Sequence, residues 1–417
     1  GMCGFGPQAF TVVSVSTGKN GDAELPLVAA ARLGQGRVAG LGHTGYFAEE
    51  HLNKFDTGRL IVNLVRWTAG KTAPRVAVIR EDQLAAYLGK QGINIVKIQG
   101  KDMAGDLKNC DVLCCNSDRF GDEKSQATLL QFIRKGGGVV GTMPGWGWQQ
   151  LNPKKNIAKD SSGNRVFAEA GLVWSGAMPG RTTEKGYSAS DLPSKYCNAL
   201  VALDALQSQS EKKIKLTKEE ANQCVTTLSD AVRSIPDGNP VFWPEFRKAE
   251  ANTASSAIPT EKKPITNNDG LAKVILAYQI HHYQALPPEQ VTAHPAATNF
   301  PGPVPKDAPR VSERIIVKTE IPRWHSSGLY AAPGELITVT LPQSAADKGL
   351  RLRIGCHSDG LWGNDRWSRP PEITRNFLIT NAVTKGACAF GGLIYIDVPQ
   401  KCAPAEIPVQ VSGAVRA

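Results

Sequence analysis

The residues most suggestive of chemistry lie in one glycine-rich stretch, GTMPG at residues 141–145. Its spacing is that of a nucleophile elbow, in which small flanking residues let a strained side chain project above the carboxyl edge of a sheet. Met143 occupies the place of the nucleophile, and a thioether has no proton to lose. The pattern predicts a degenerate elbow formed by Gly141, Thr142, Met143 and Gly145, and no catalytic residue. In the alternative interpretation, these glycines only pack a helix against a sheet.

Two tryptophans follow on the same glycine-rich turn. Trp146 and Trp148 could stack on sugar rings, and Asp118, beyond the end of an earlier strand, could supply a polar contact. His43 also follows a strand and has a site-like setting. We predict that these four residues form a binding site in which Trp146 and Trp148 stack on a glycan. The alternatives are that the tryptophans cover a core and that His43 is structural.

The sequence predicts no metal site. Catalytic zinc takes three protein ligands, and the gluzincin arrangement takes two of them from histidines at i and i+4 on one helix. None of the seven histidines belongs to an HExxH motif, and the adjacent His281 and His282 would point about 100° apart on a helix. The alternative is a site assembled from scattered donors, of which the chain offers His325, His357, Asp359 and Asp365.

Composition indicates a multidomain globular protein. A chain of 417 residues with 41% hydrophobic and 21% charged residues suggests two or three domains. The net charge of +10 is spread along the chain without a dense basic tract, so nucleic acid is not a predicted partner. No apolar run approaches the roughly 20 residues of a membrane helix, so no transmembrane segment is predicted.

The nine cysteines do not form a disulfide framework. Cys114 and Cys115 lie in an apolar run typical of a buried strand. Cys356, Cys388 and Cys402 cluster in the last quarter and could include one bridge, but spacing alone leaves the pairing open. No signal peptide is found in the given chain.

Hydrophobic periodicity divides the chain into four parts. Residues 1–70 form a β/α segment, and strand–helix alternation over 74–286 predicts a doubly wound parallel sheet with helical additions. Residues 287–311 are proline-rich and predict a linker. Period-two alternation over 312–417 predicts a separate antiparallel β-sandwich.

Two family resemblances follow from these motifs. The GGGVVGTMPG stretch with its preceding helix resembles the class I glutamine amidotransferase-like fold, in which a cysteine is the elbow nucleophile. The stretches WHSSGLYAAPGELITVTLP from Trp324, LRLRIGCHSDGLW from Leu350 and FGGLIYIDVP from Phe390 resemble the amino-terminal part of the enhancin-like, mucin-targeting zinc metallopeptidases. In that family HExxH comes later, so the resemblance implies zinc only if a downstream HExxH segment exists.

The combination is similar to the TRP-channel-associated factors and their bacterial homologues, through GQGRVAGLGHTGYF, DTGRLIVNLVRW and the GGG strand. There an amidotransferase-like domain without a catalytic cysteine precedes the peptidase-like part. The resemblance implies a secreted or cell-envelope-associated, non-catalytic recognition region of a mucin- or glycoprotein-directed peptidase-like protein. A module that binds and regulates a membrane protein is the alternative. An amidotransferase-like hydrolase is a third reading, which Met143 argues against.

Overall fold

The computed structural model describes residues 1–16, 23–98, 100–180 and 192–417. This part of the chain divides into two compact units, Gly1–Ala251 and Asn252–Ala417. The division falls before residues 287–311. The proline-rich segment therefore groups with the second unit, and it is not the boundary that the sequence analysis placed there.

The first unit is built on a seven-stranded mixed sheet. The strands of this unit are β1 (Met2–Gly4), β2 (Ala9–Ser16), β3 (Glu24–Leu33), β4 (Gly36–Leu41), β5 (Arg75–Ile79), β6 (Asn94–Ile98), β7 (Val112–Asn116), β8 (Gly138–Thr142) and β9 (Leu172–Trp174). The order is β2-β3-β4-β8-β7-β5-β6, and β1 pairs with β9 separately. Neighbouring strands from β4 to β6 in this order run parallel. Strand β3 pairs antiparallel with both β2 and β4. The parallel part agrees with prediction, but the sheet as a whole is mixed and not purely parallel.

Helices cover both faces of the parallel strands. The helices that begin in this unit are α1 (Glu49–Leu52), α2 (Thr57–Ala69), α3 (Asp82–Lys90), α4 (Met103–Leu107), α5 (Glu123–Arg134), α6 (Gly145–Leu151), α7 (Ile157–Asp160), α8 (Ser162–Phe167), α9 (Ala199–Ser210), α10 (Lys218–Ser234) and α11 (Trp243–Thr253). Residues of α4, α5 and α8 bury one face, and residues of α2 and α3 bury the other. Strands covered on both faces need continuous apolar runs, which β5, β7 and β8 supply.

The junction of α5 and β8 forms as its sequence predicts. The Asp122 side chain caps the helix by accepting a hydrogen bond from the Ser125 N–H at 2.9 Å. Gly136 follows the helix with a φ of 111°, a value that favours glycine, and β8 then runs fully buried. This turn directs β8 into the centre of the sheet.

The second unit contains one long helix, α12 (Gly270–Ala285), and a large antiparallel sheet. Its strands are β10 (Ile265–Thr266), β11 (Val311–Lys318), β12 (Arg323–Ala331), β13 (Ile337–Thr340), β14 (Arg351–Ile354), β15 (Arg366–Trp367), β16 (Arg375–Leu378), β17 (Val383–Gly386), β18 (Gly392–Val398) and β19 (Glu406–Arg416). The order is β16-β14-β18-β12-β19-β13-β17, with β11 also on β19, while β10 and β15 form a separate pair. Within the described ranges, no helix of either unit is long and apolar enough to cross a membrane.

The predicted β-sandwich is wrong in one respect, because the strands form one nearly closed sheet. Strand β19 pairs with β11 and β13 over most of its length and with β12 at Val415 and Arg416, which joins what would be two sheets. Gly413, with a φ of 86°, lies just before this change of partner. The end strands β16 and β17 contact each other. The prediction of an antiparallel sheet separate from the parallel one is confirmed.

Candidate functional site

The predicted elbow lies at the edge where ligands commonly bind in open sheets. The parallel strands β4, β5, β7 and β8 end at this carboxyl edge, at Leu41, Ile79, Asn116 and Thr142. His43, Asp118 and Met143 follow three of these ends. The sequence-predicted candidates therefore lie at one edge of the sheet, but the side chains of Met143 and His43 make structural contacts there.

Met143 does not project from the sheet. Its side chain is fully buried, with the sulfur 3.6 Å from Ser161 Oγ, and its N–H donates to the Leu41 carbonyl at 3.1 Å. Met143 is not among the described non-glycine residues with positive φ, so the strained backbone of a nucleophile elbow is missing. The degenerate-elbow interpretation is therefore corrected to a buried strand end.

The glycines around Met143 are needed for packing. A Cβ atom at Gly145 would lie 2.1 Å from the Ser175 carbonyl oxygen, and one at Gly141 would lie 3.1 Å from the Trp174 ring. The hydroxyl of Thr142 is buried and has no hydrogen-bond partner among the described residues. These contacts support the alternative interpretation, in which glycines bring backbone segments close together.

The two tryptophans lie on helix α6 and not on a loop. Trp148 is only 8% exposed, so it covers the core and cannot stack on a sugar, whereas Trp146 is half-buried. Burial raises the pKa of Asp118, and hydrogen bonding from the Trp148 side chain opposes the rise. Trp148 is thus corrected to a core residue, while binding by Trp146 and Asp118 stays a prediction.

His43 caps the short 3-10 helix Thr44–Phe47. Its Nδ1 accepts a hydrogen bond from the Gly45 N–H at 2.9 Å, which places the proton of the neutral ring on Nε2. Burial, and then the nearby His51, lower the pKa of His43. The capping bond supplies the structural explanation that the sequence analysis left open.

The four scattered candidate zinc donors do not converge on one point. His325 Nε2 lies 2.8 Å from the Ile321 carbonyl, His357 Nδ1 lies 3.5 Å from the Asp359 carboxylate, and Asp365 accepts a hydrogen bond elsewhere. Across the described residues, no group of three His, Cys, Asp or Glu side chains is arranged to hold a metal ion. The zinc that the peptidase resemblance implies depends on a downstream HExxH segment, and the absence of a metal site in this chain stays a prediction.

The three cysteines whose pairing was left open are free thiols. Cys356 is exposed, Cys402 is half-buried, and Cys388 is buried with its thiol 3.2 Å from the Ile373 carbonyl. Burial raises the pKa of Cys388 to about 11, which keeps this thiol protonated and inert.

A surface that sequence analysis missed lies on the outward face of β12, β18, β14 and β16. Cross-strand pairing places one row of four residues side by side, Trp324, Asp397, Arg351 and Leu378. The next row on the same face consists of Ser326, Tyr395, Arg353 and Asn376. We call these eight residues the two-row face. The available signal was the alternation of polar and apolar residues in these strands, but alternation does not specify register.

The indole of Trp324 is the open aromatic surface of the two-row face and lies at the end of its row. It is 38% exposed, with the Arg353 guanidinium 4.0 Å from its ring centroid and the Tyr395 ring 5.4 Å away at 42°. Arg353 is held by donating to the carbonyls of Gly355 at 2.9 Å and His357 at 2.8 Å. Burial lowers the pKa of Arg353, and Asp397 opposes this shift. The anchored guanidinium therefore holds the tryptophan ring in place while part of the ring stays open to solvent.

Several polar groups around Trp324 are unused. Within the described chain, the Arg351 guanidinium, the Asp397 carboxylate and the Tyr395 hydroxyl have no hydrogen-bond or ion-pair partner. The exposed amide of Asn376 accepts one long hydrogen bond, at 3.5 Å, from Arg353. The face thus combines an open aromatic ring with both donors and acceptors.

Two domain families match this chain. Residues 306–412 match the N-terminal domain of M60-like peptidases, and residues 5–189 match a family described as the TRPM8 N-terminal domain. The first match lies inside the second unit and includes the whole two-row face. The second match lies inside the first unit. The predicted resemblances to enhancin-like peptidases and to TRP-channel-associated factors are therefore confirmed.

The relatives are channel-associated factors. TRPM8 channel-associated factor 3 of Rattus norvegicus is 26% identical over 94% of this chain, and TRPM8 channel-associated factor 1 of Homo sapiens is 27% identical over 94%. In both cases the alignment covers 41% of the relative. The chain thus spans about two-fifths of the length of these curated relatives.

Among solved structures, the chain is similar to the IMPa metallopeptidase from Pseudomonas aeruginosa. The TM-score is 0.49 at 14% identity, covering 100% of this chain and 50% of that one. For IMPa in complex with an O-glycopeptide the TM-score is 0.42 at 14% identity, covering 99% and 52%.

Proposed function

We propose that this chain is a non-catalytic recognition region that binds glycoproteins through the two-row face. The protein would be a secreted or cell-envelope-associated, peptidase-like protein directed at mucins or other glycoproteins. The observation that carries the proposal is the open Trp324 ring, held by Arg353 among unpaired polar groups. The match of residues 306–412 to the N-terminal domain of M60-like peptidases supports it.

A sugar fits this combination of groups. One face of a sugar ring presents C–H groups that pack on an aromatic ring, while the hydroxyls around the rim both donate and accept hydrogen bonds. Trp324 offers the aromatic surface, Asp397 on the neighbouring strand offers an acceptor, and Asn376, three strands from Trp324, offers an amide. Stacking contributes about 1 kcal/mol per ring, so we expect millimolar affinity for a single sugar.

Catalysis is not part of the proposal. The chain has no HExxH motif, and Met143 is buried where an amidotransferase would expose its nucleophile. We also propose that the first unit has the class I glutamine amidotransferase-like fold. Its parallel core with helices on both faces supports this assignment. The hydrolase reading is not supported by any group in this region.

The test is a titration of the whole chain with one O-glycosylated peptide and the same peptide without its glycan, followed by NMR or calorimetry. We expect binding only of the glycosylated form and a loss of at least about fivefold for Trp324→Ala, because stacking is removed. Trp146→Ala is the matched comparison, since it removes the half-buried tryptophan of the sequence-predicted site and should leave binding by the two-row face unchanged. Equal binding of both peptides, or an unaffected Trp324→Ala variant, would contradict the proposal.

A second candidate is a module that binds and regulates a membrane protein. It is favoured by the match of residues 5–189 to the TRPM8 N-terminal domain family and by the names of the relatives. The probe is a detergent-solubilised TRPM8 channel, before and after enzymatic removal of its glycans. Binding that survives deglycosylation and the Trp324→Ala substitution supports this candidate, whereas no binding rules it out.

A further inference from the structure

We propose that the two-row face selects anionic oligosaccharides and that Arg351 determines this selectivity. The inference rests on the proposed function, because it names the class of glycan that the same face would take. The charged group of the ligand is a carboxylate or a sulfate carried by a sugar.

The charges of the face favour an anion. The face carries two arginines, Arg351 and Arg353, and one aspartate, Asp397, so its net charge is one positive unit. Arg353 is largely committed to the protein, through its hydrogen bonds to two carbonyls and its stacking on Trp324. Arg351 is exposed and, among the described residues, has no ion-pair partner. Its guanidinium can therefore form a bidentate pair with a carboxylate or bind a sulfate.

The order of residues along the first row indicates how the ligand would lie. Trp324 and Arg351 pair with the same residue, Asp397, from opposite sides. Neighbouring strands are about 4.8 Å apart, so about 10 Å separates the backbones of Trp324 and Arg351. A sugar that stacks on Trp324 therefore leaves Arg351 within reach of an anionic group on the same oligosaccharide. Asp397 between them accepts hydrogen bonds from hydroxyls and disfavours an anion beside Trp324.

The experiment uses the whole chain and three O-glycopeptides of one amino-acid sequence, carrying a neutral, a sialylated or a sulfated glycan. We expect at least one anionic glycan to bind about threefold to fivefold more tightly than the neutral one, because an exposed ion pair contributes only a small free energy of binding. The preference should shrink as salt is raised, because the pair is exposed. The sialylated and sulfated peptides identify which anion is taken.

Three variants locate the preference. Arg351→Gln should lose the preference, so that the ratio of its affinities for the anionic and the neutral glycan falls to about one. Arg351→Lys should retain part of the preference, because the charge remains and the bidentate geometry is lost. Arg314→Gln is the control, since Arg314 is exposed on β11, away from the face, and the change in net charge is the same.

The outcomes separate the inference from the proposed function. If the parent binds neutral and anionic glycopeptides equally, the inference is overturned and the proposed function stands. If Arg314→Gln loses the preference as fully as Arg351→Gln, net charge is responsible and the assignment to Arg351 is overturned. If no glycopeptide binds, the proposed function fails and the inference fails with it.

Discussion

A side chain at position 145 would meet the backbone of another segment. A Cβ atom there would lie 2.1 Å from the Ser175 carbonyl oxygen, and real Cβ contacts are never this short. At Gly147, on the same helix, the nearest atom would be Pro144 Cγ at 3.4 Å, an ordinary contact. The two glycines of α6 therefore form a matched pair in which only one is sterically required.

We expect Gly145→Ala to lower the free energy of unfolding of the first unit by about 1–3 kcal/mol, as overpacking does. Gly147→Ala should be neutral or stabilising by up to about 1 kcal/mol, because alanine favours the helix. Urea unfolding followed by circular dichroism measures both. Equal effects of the two substitutions would show that the close approach to Ser175 is not maintained in solution.

At the scale of elements, the carboxylate of Asp111 connects the starts of strands β5 and β7 through a hydrogen bond. Asp111, just before β7, accepts a hydrogen bond from the Arg75 N–H at 2.7 Å and lies 2.9 Å from the Lys71 ammonium. Burial alone would raise the pKa of Asp111. The hydrogen bonds from Arg75 and Lys71 outweigh it, so the pKa is lowered from 3.8.

We expect Asp111→Asn to lower the free energy of unfolding by about 1–2 kcal/mol at neutral pH, since hydrogen bonds to a charged group are lost. A carboxylate with a lowered folded pKa stabilises fully above its unfolded pKa, and the contribution is lost as the pH falls through the folded value. The difference between parent and variant should therefore be constant near neutrality and diminish below pH 3.8.

Denaturant unfolding of the parent and the Asp111→Asn variant at several pH values measures this dependence. Asp82→Asn is the control, because Asp82 is 88% exposed and its only described ion pair, to Lys97, is 3.8 Å long. We expect no measurable change for the control. A stability difference for Asp111→Asn that persists unchanged to low pH would mean that the charge of Asp111 is not what stabilises the sheet.

For the molecule as a whole, the two family matches fall in the same two units that the contacts within the chain define. The match over residues 5–189 lies in Gly1–Ala251, and the match over residues 306–412 lies in Asn252–Ala417. Each unit has its own large sheet, and no strand of the described chain belongs to both. The combination of domains, and not either sheet alone, is what the chain shares with its relatives.

We predict that the purified chain retains no zinc after gentle chelation and cleaves neither casein nor mucin when zinc is added. Gluzincin chemistry needs paired histidines at i and i+4 and a third ligand, which this sequence does not contain. Metal analysis and a cleavage assay measure the two parts. Near-stoichiometric zinc with proteolysis would contradict the prediction. Loss of the bound zinc in a His357→Gln variant would then locate the metal site.

The sequence by itself determined the local structure. Helix α2 ends at Gly70, and helix α10 begins with a capping box in which Thr217 and Glu220 bond each other's backbone at 3.2 Å and 2.9 Å. Both features depend on residues a few positions apart. The parallel core from β5 to β8 was likewise predictable, because buried apolar strands alternate with helices and right-handed crossovers connect them. The resemblances to two families also came from the sequence alone.

Only the tertiary structure decided which residues form a surface. Trp148 was predicted to be a ligand-binding ring, but the packing of α6 buries it, and no pattern near it in the sequence encodes that packing. Trp324, Arg351 and Asp397 lie on three different strands, and only the pairing register places them in one row. Alternation specifies which residues of a strand share a face. Register and sheet closure depend on contacts between distant segments, whose free energy no local pattern contains.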